Sequence, residues 1–183
     1  MQITSAVAKA VLILLFSLAA SGCANPKYAK EMEDSGRSLI FGYIDTKGSE
    51  MYLSRVYLAP NEPGKKKDYM ETRLLDTDDA FYLENVKRGS YRLDALSGIY
   101  YSSGMLSTFP ESGPGAYTFK IDKPGLYFVG AYKYKIIPIS LVKRTFELVP
   151  LTSPTQKDIL QKILPYTKGK KWEALIRKRI REL

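Results

Sequence analysis

The sequence predicts a mainly β fold: an antiparallel sandwich of seven or eight strands, followed by a C-terminal pair of short α-helices. Two features of the 183-residue chain predict it. Between residues 37 and 150, short segments rich in Tyr, Val, Ile and Phe recur about every dozen residues and are separated by Gly, Pro and Asn turns. After residue 150, apolar residues recur instead at the three- and four-residue spacing of a helix.

The first 22 residues predict a signal peptide rather than part of the fold. Lys9 is the only charged residue in this stretch, and an apolar run extends from Ala10 to Ala20. As a helix rising about 1.5 Å per residue, this run is too short to cross a hydrocarbon core of about 30 Å. Its length is typical of the apolar region of a secretory signal.

The sole cysteine of the chain follows this apolar run. The segment Leu18-Ala19-Ala20-Ser21-Gly22-Cys23 resembles the signal of bacterial lipoproteins, which implies cleavage before Cys23 and acyl chains on its sulfur. Acylation also protects a single unpaired thiol from oxidation outside the cytoplasm. Ala24 at the next position implies sorting to the outer membrane, on a face that the pattern does not determine. The alternative is an ordinary signal peptide with an incidental cysteine.

Residues 23–36 predict a tether between the lipid and the fold. The segment after Cys23 is polar and lacks a sustained apolar stripe. With a reach of at most about 3.6 Å per residue, it allows the folded body to stand a few nanometres away from the membrane.

Eight segments between residues 37 and 150 predict the strands of the sandwich, by alternation or by short apolar runs. They are residues 39–44, 51–58, 69–75, 80–83, 91–96, 117–121, 126–134 and 145–149. No stretch in this region has both the length and the period of a helix, which disfavours alternating β–α folds. Residues 97–115, rich in Ser, Gly and Pro, predict a long loop that is the favoured place for a recognition surface.

Two of these regions resemble the transthyretin-like, or carboxypeptidase-regulatory-like, sandwich domains. The first runs from Ser38 through the Lys47-Gly48 turn to Leu58, and the second runs from Phe81 to Leu93. In the second, Gly89 permits a positive φ at the turn and Tyr91 is expected to anchor the new strand in the core. The resemblance implies an Ig-like or transthyretin-like sandwich that serves as a binding or stabilising module and carries no catalytic residues.

Residues 151–183 predict a basic helical tail. Ser153-Pro154-Thr155-Gln156 has the pattern of a capping box with Ser153 at the N-cap, and Pro165 ends the first helix. A second helix follows Gly169 and has one apolar face. The members of that face are Trp172, Leu175, Ile176, Ile180 and Leu183.

The tail also carries most of the positive charge. The chain has a formal net charge of +9, and residues 151–183 hold nine Lys and Arg against three acidic residues. This surplus favours an anionic partner, either anionic lipid or an acidic envelope protein, whereas nucleic acid is disfavoured behind an export signal. The candidate contacts are Lys168, Lys170, Lys171, Arg177, Lys178, Arg179 and Arg181. The alternative is a solvated helix face whose apolar side packs on the sandwich.

The composition limits the chemistry of the chain. With no histidine and one cysteine, it has no Ser-His-Asp or Cys-His nucleophile, no imidazole zinc site, no internal disulfide and no CxxC pair. We therefore expect no cofactor, no metal ion and no catalysis. The favoured function is that of an outer-membrane-anchored envelope lipoprotein acting as a binding or assembly module.

Two other functions remain open at the level of sequence. The first is a surface binder of glycan or anionic lipid, which would combine the basic tail with a Tyr-rich face. The chain has 14 tyrosines, and Tyr132 and Tyr134 have strand spacing that places them on one face. The second and less favoured function is a hydrolase that brings together carboxylates from distant strands.

Overall fold

A computed structural model of the chain describes residues 36–49, 51–62, 69–75, 79–100, 106–110, 117–138 and 144–183. These residues belong to one compact unit, Asp34–Leu183. The predicted signal peptide, Cys23 and nearly all of the tether lie outside the described residues.

The described residues form strands and then two helices. The strands are β1 (Ser38–Asp45), β2 (Met51–Pro60), β3 (Met70–Glu71), β4 (Arg73–Leu74), β5 (Ala80–Val86), β6 (Gly89–Tyr100), β7 (Leu106–Pro110), β8 (Thr118–Ile121), β9 (Leu126–Pro138) and β10 (Arg144–Pro150). The helices are α1 (Gln156–Ile163) and α2 (Lys171–Glu182), and the 3₁₀ turn Leu164–Thr167 lies between them. The predicted fold class, a mainly β sandwich with a C-terminal helix pair, is confirmed.

The strands are arranged in two sheets. Sheet A has the order β10-β9-β1-β5-β4. Sheet B has the order β3-β2-β6-β7, and β8 pairs with the first residues of β6. Among the described strands, β1 and β9 form a parallel pair, whereas the other pairs are antiparallel, as predicted. A parallel pair needs a long connection, and the chain supplies it by passing through both sheets between β1 and β9.

Strand β1 lies at the centre of sheet A and is buried on both faces. Its first seven residues are all buried, which explains why the sequence there is a nearly continuous apolar run. Ile40 and Ile44 belong to the core between the two sheets. Leu39, Phe41 and Tyr43 belong to a second core on the outer side of sheet A.

Two regions differ in detail from the prediction. Residues 69–75 form two short strands instead of one, because the chain crosses from sheet B (β3) to sheet A (β4) at Thr72. The predicted loop 97–115 was wrong in part, since β6 continues to Tyr100 and β7 pairs with it. Strand β7 lies at the edge of sheet B and ends in Pro110, and an edge position tolerates proline and polar residues.

The turn between β5 and β6 has the predicted construction. Gly89 has a φ of +154°, a conformation that side chains rarely adopt. Tyr91 is buried, stacks on Phe119 with ring centroids 5.9 Å apart, and donates its hydroxyl to the carbonyl of Lys87 at 2.9 Å. Tyr91 therefore anchors the start of β6 in the core, as predicted.

Candidate functional site

The helix pair covers the outer side of sheet A. Trp172 is 1% exposed and Ile176 is fully buried, and both pack in the second core with Leu39, Phe41 and Tyr43. Side chains from α1 complete this layer: Ile159, Leu160 and Ile163. Full burial of one large apolar side chain contributes about 1.5–3 kcal/mol. Of the alternatives open from the sequence, the tail therefore packs on the sandwich, on the face of a sheet.

Helix α1 begins two residues later than predicted. The N-cap is Thr155, so the prediction of Ser153 was wrong. The Asp158 carboxylate accepts hydrogen bonds from the backbone N–H and the hydroxyl of Thr155, at 2.8 and 2.7 Å, and the Asp158 N–H donates back to that hydroxyl. An ionised carboxylate accepts stronger hydrogen bonds than a Gln amide does. This favours the capping box of Thr155 and Asp158 over the predicted one, which used Gln156. The same bonds hold the pKa of Asp158 below its usual range.

Helix α2 is fixed at its first turn by two acidic residues. The N-cap Lys170 makes no capping bond, and instead its ammonium lies 2.8 Å from the carboxylate of Glu84 on β5. Glu173 reaches back and accepts the backbone N–H of Gly169 at 2.7 Å. This bond, followed by the one from Arg177, holds the pKa of Glu173 below its usual range. Lys170 therefore attaches the helix to sheet A.

The other predicted basic contacts lie on or beside the outer surface of α2. Arg177 forms an ion pair with Glu173 at 2.9 Å, whereas Lys178 and Arg179 lie 3.9 and 3.5 Å from Glu182. Ion pairs at such exposed positions contribute little to stability.

Three further basic residues complete the set. The ammonium of Lys171 lies 4.8 Å from the centroid of the Trp172 ring. Lys168 and Arg181 are exposed, and neither forms an ion pair within the part of the chain that the structure describes.

Several basic residues on and just before α2 face the solvent. Successive residues of a helix are rotated by about 100°, so Lys178 and Arg181 lie opposite the buried Trp172 and Ile176. We define the basic ridge as Lys168, Arg177, Lys178 and Arg181. Helix α2 holds five basic residues against two acidic ones, so the ridge stays positive when its ion pairs are formed.

Some apolar side chains of the helix pair are exposed. Leu175 and Leu183, which were predicted on the apolar face of the second helix, are 42% and 46% exposed. Tyr166 in the 3₁₀ turn is 48% exposed. The buried stripe of α2 therefore consists of Trp172 and Ile176 with the half-buried Ile180.

The tyrosines are distributed differently from the Tyr-rich face proposed on sequence. Tyr132 and Tyr134 do share one face, but that face is turned toward the core between the sheets. Among the side chains that the structure describes, Tyr52 and Tyr69 are the exposed tyrosines of sheet B and its edge. Tyr69 meets Tyr57 edge to face, with ring centroids 6.0 Å apart. No sequence signal distinguished these tyrosines from the buried ones.

Three carboxylates that are largely shielded from solvent are each bound to a cation. Asp45 pairs with Lys133 at 2.9 Å, Glu84 with Lys170 at 2.8 Å, and Asp94 with Arg92 at 2.5 Å. Within the described ranges, no group of three acidic, cysteine or histidine residues could hold a metal ion. The described helices also include none that is long and apolar enough to cross a membrane.

Comparisons with known proteins give a partial structural similarity. No protein-family model matches the chain, and no curated protein matches it. Among solved structures, the chain is similar to the tip fimbrial protein Mfa3 from Porphyromonas gingivalis with a C-terminal truncation, at 10% identity and a TM-score of 0.28. The match covers 63% of this chain and 52% of that one, so it spans about half the length of the fimbrial protein.

Proposed function

We propose that the chain is a lipid-anchored protein of the cell envelope, attached to the outer membrane through Cys23, that acts as a non-catalytic binding or assembly module. The lipoprotein-like signal ends at Cys23, and the compact unit begins eleven residues later at Asp34. This spacing suits a fold that is held near a membrane by a short polar segment.

The helix pair is the observation that carries the binding role. Its apolar side is sealed against sheet A, and its outer side displays the basic ridge. A charged surface held on a rigid scaffold is suited to binding a partner of opposite charge, because little conformational freedom is lost on contact.

The shielded carboxylates support the absence of catalysis. A general acid or base needs a carboxyl that is accessible to substrate and has a suitable pKa. Asp45 and Glu84 are instead used in ion pairs that join neighbouring elements, and Asp94 pairs with Arg92 on the same strand, β6. Each of these carboxylates is therefore held by a basic side chain.

Lipid labelling and fractionation of the native host test the anchor. Wild-type protein should incorporate labelled fatty acid and remain in the membrane fraction after a high-salt wash, whereas Cys23→Ser should do neither. A control variant combines Cys23→Ser with Ser153→Cys, which keeps a thiol in the chain but removes it from the signal context. Labelling of this control, or membrane retention of Cys23→Ser through a salt wash, would contradict the proposal.

The exposed tyrosines favour a second candidate function, the binding of glycan. Tyr52 and Tyr69 are 46% and 47% exposed, and Arg55 on β2 and Glu71 on β3, paired at 2.8 Å, provide hydrogen-bonding groups on these two strands. Aromatic rings of this kind stack on sugar rings at low entropic cost. Tyr52→Ala with Tyr69→Ala should abolish co-sedimentation with purified peptidoglycan, and Tyr166→Ala, an equally exposed tyrosine on the helix pair, should not. Unchanged sedimentation of the double variant would exclude this role.

A further inference from the structure

The way in which α2 is docked determines how its positive charge can be used. A basic amphipathic helix usually binds a membrane by burying its apolar face among the headgroups. Here Trp172 and Ile176 are buried against sheet A, so that face is already occupied. Contact with an anionic surface must therefore use the outer side of the helix, with α2 remaining on the sandwich.

We propose that the basic ridge rests on anionic lipid headgroups of the membrane to which the protein is anchored, as a second and electrostatic contact beside the acyl chains. The proposal rests on the proposed function, since the anchor at Cys23 brings the ridge close to this membrane. Lipid phosphate is the chemistry that is recognised. The contact orients the folded body with the helix pair toward the bilayer and sheet B away from it.

Charge and exposure both favour a flat anionic surface as the partner. Lys178 is 70% exposed and Arg181 is exposed next to it, while Arg177 and Lys168 extend the positive surface to the start of the helix. Leu175, which is 42% exposed, lies one turn before Lys178 on α2 and can enter the headgroup region when the ridge makes contact. The predicted anchor at Cys23 brings a bilayer, and no particular protein groove, within reach of this surface.

Because of the tether, a weak contact between the basic ridge and the bilayer is enough to orient the folded unit. Residues 24–36 reach at most about 45 Å at about 3.5 Å per residue, so the folded unit stays within a small volume above the bilayer. Binding of the ridge is then an intramolecular step with a high effective concentration. Two basic residues at an anionic bilayer shift such an equilibrium about 30-fold, which is enough to orient a tethered body.

Two groups of contacts keep α2 docked during this interaction. The Lys170–Glu84 ion pair fixes the beginning of the helix to β5. Trp172 fixes its first turn in the second core. Trp172 is also the only tryptophan of the chain, so its fluorescence reports on docking without any label.

Vesicle binding of acyl-free protein tests the proposal. The protein used is the chain from residue 24 onward, which retains the whole compact unit Asp34–Leu183. It should bind vesicles of phosphatidylglycerol mixed with phosphatidylcholine, should bind less as salt is raised, and should not bind vesicles of phosphatidylcholine alone. Binding to both kinds of vesicle, or to neither, would overturn the proposal.

Charge variants locate the contact. Lys178→Gln with Arg181→Gln should weaken binding about 30-fold at low salt, corresponding to about 2 kcal/mol. The matched control, Lys120→Gln with Lys123→Gln, removes the same charge from exposed positions on β8 and its following turn, outside the helix pair. It should bind nearly as well as wild type. Equal losses in the two double variants would show a non-specific effect of net charge and would overturn the proposal.

Trp172 fluorescence tests whether the helix stays docked. On binding, its emission should keep its wavelength, and brominated lipid should fail to quench it. Strong quenching would show that α2 leaves the sandwich and inserts, which would contradict the proposed contact. A ridge-dependent crosslink to an acidic envelope protein, without vesicle binding, would also overturn it. Neither result would affect the labelling of Cys23, so failure of this contact is distinguishable from failure of the anchor.

Discussion

Gly42 in β1 is a position where the packing around sheet A leaves no room for a side chain. A Cβ at Gly42 would lie 2.6 Å from the Phe81 ring and 2.9 Å from the Gly130 carbonyl oxygen. Both neighbours are held inside the sheet, and overpacking of a core costs about 1–3 kcal/mol. Gly42→Ala should lower the free energy of unfolding by that amount in urea titrations. Gly125→Ala is the control, since its Cβ would meet nothing closer than Tyr127 at 3.9 Å, and it should change stability by less than half as much.

Tyr117 protects the open edge of β10. Its hydroxyl accepts the backbone N–H of Leu148 at 2.8 Å and donates to the carbonyl of the same residue at 3.0 Å. Since Leu148 is buried, Tyr117→Phe leaves both groups without a partner, at a cost of about 1–3 kcal/mol in thermal or urea unfolding. Tyr127→Phe is a close control, because the Tyr127 hydroxyl makes the same two bonds to Lys123 in an exposed turn, where water can replace it. Equal losses in both variants would contradict this interpretation.

At the residue scale, the sequence predicts what depends on neighbours along the chain. Gly89 and Tyr91 were predicted because a turn and the residue that anchors it are two positions apart. The shared face of Tyr132 and Tyr134 was predicted as well, but alternation along a strand does not say which face meets the core. The ion pair between Glu84 and Lys170 joins residues 86 positions apart, and no local pattern indicates such a contact.

The start of α1 gives the helix layer a pH dependence. Hydrogen bonds from Thr155 hold the pKa of Asp158 below its usual range, so below about pH 4 the unfolded chain takes up this proton more readily than the folded one. The stabilisation from Asp158 is complete above about pH 4 and is lost as the pH falls through the lowered pKa.

Unfolding measurements between about pH 7 and pH 3 can test this dependence. Below about pH 4, the free energy of unfolding of Asp158→Asn should fall less steeply with decreasing pH than that of the wild type. Thr155→Ser keeps the hydroxyl and should retain the wild-type slope, whereas Thr155→Ala should cost about 1 kcal/mol at neutral pH through loss of the cap. If the free energy of unfolding changed equally with pH in the wild type and in Asp158→Asn, the pH dependence would not come from Asp158.

At the element scale, strands and helices with a strong local pattern could be predicted. The elements with which they pair or pack could not. All eight predicted segments fall on strands, because alternation and turn residues are local signals. Strand β7 was missed, since an edge strand with Ser, Thr and Pro resembles a loop. The parallel pairing of β1 with β9 and the crossing at Thr72 depend on how distant segments meet, which periodicity does not encode.

At the scale of the whole molecule, the helical tail is a structural layer and not a detachable appendage. The sequence predicted its apolar stripe and offered the sandwich as one partner, but it did not identify the outer side of sheet A as the surface that the stripe covers. Leu39, Phe41 and Tyr43 of that sheet are buried in the same core as the helices. Both faces of strand β1 are apolar, and its outer face is shielded from water only while this helix layer is present.

Removal of residues 151–183 should therefore destabilise the sandwich as well as delete the basic ridge. The truncated chain exposes Phe41, Tyr43 and Tyr82 on one side of sheet A, and contiguous apolar surfaces of this kind cause aggregation. We expect strong binding of a hydrophobic dye and loss of the monomer in size-exclusion chromatography. Full-length Lys178→Gln with Arg181→Gln should remain monomeric, because it alters charge and leaves the apolar layer intact. A monomeric truncated protein with the wild-type urea midpoint would show that the sandwich is stable alone and that the tail is free to act apart from it.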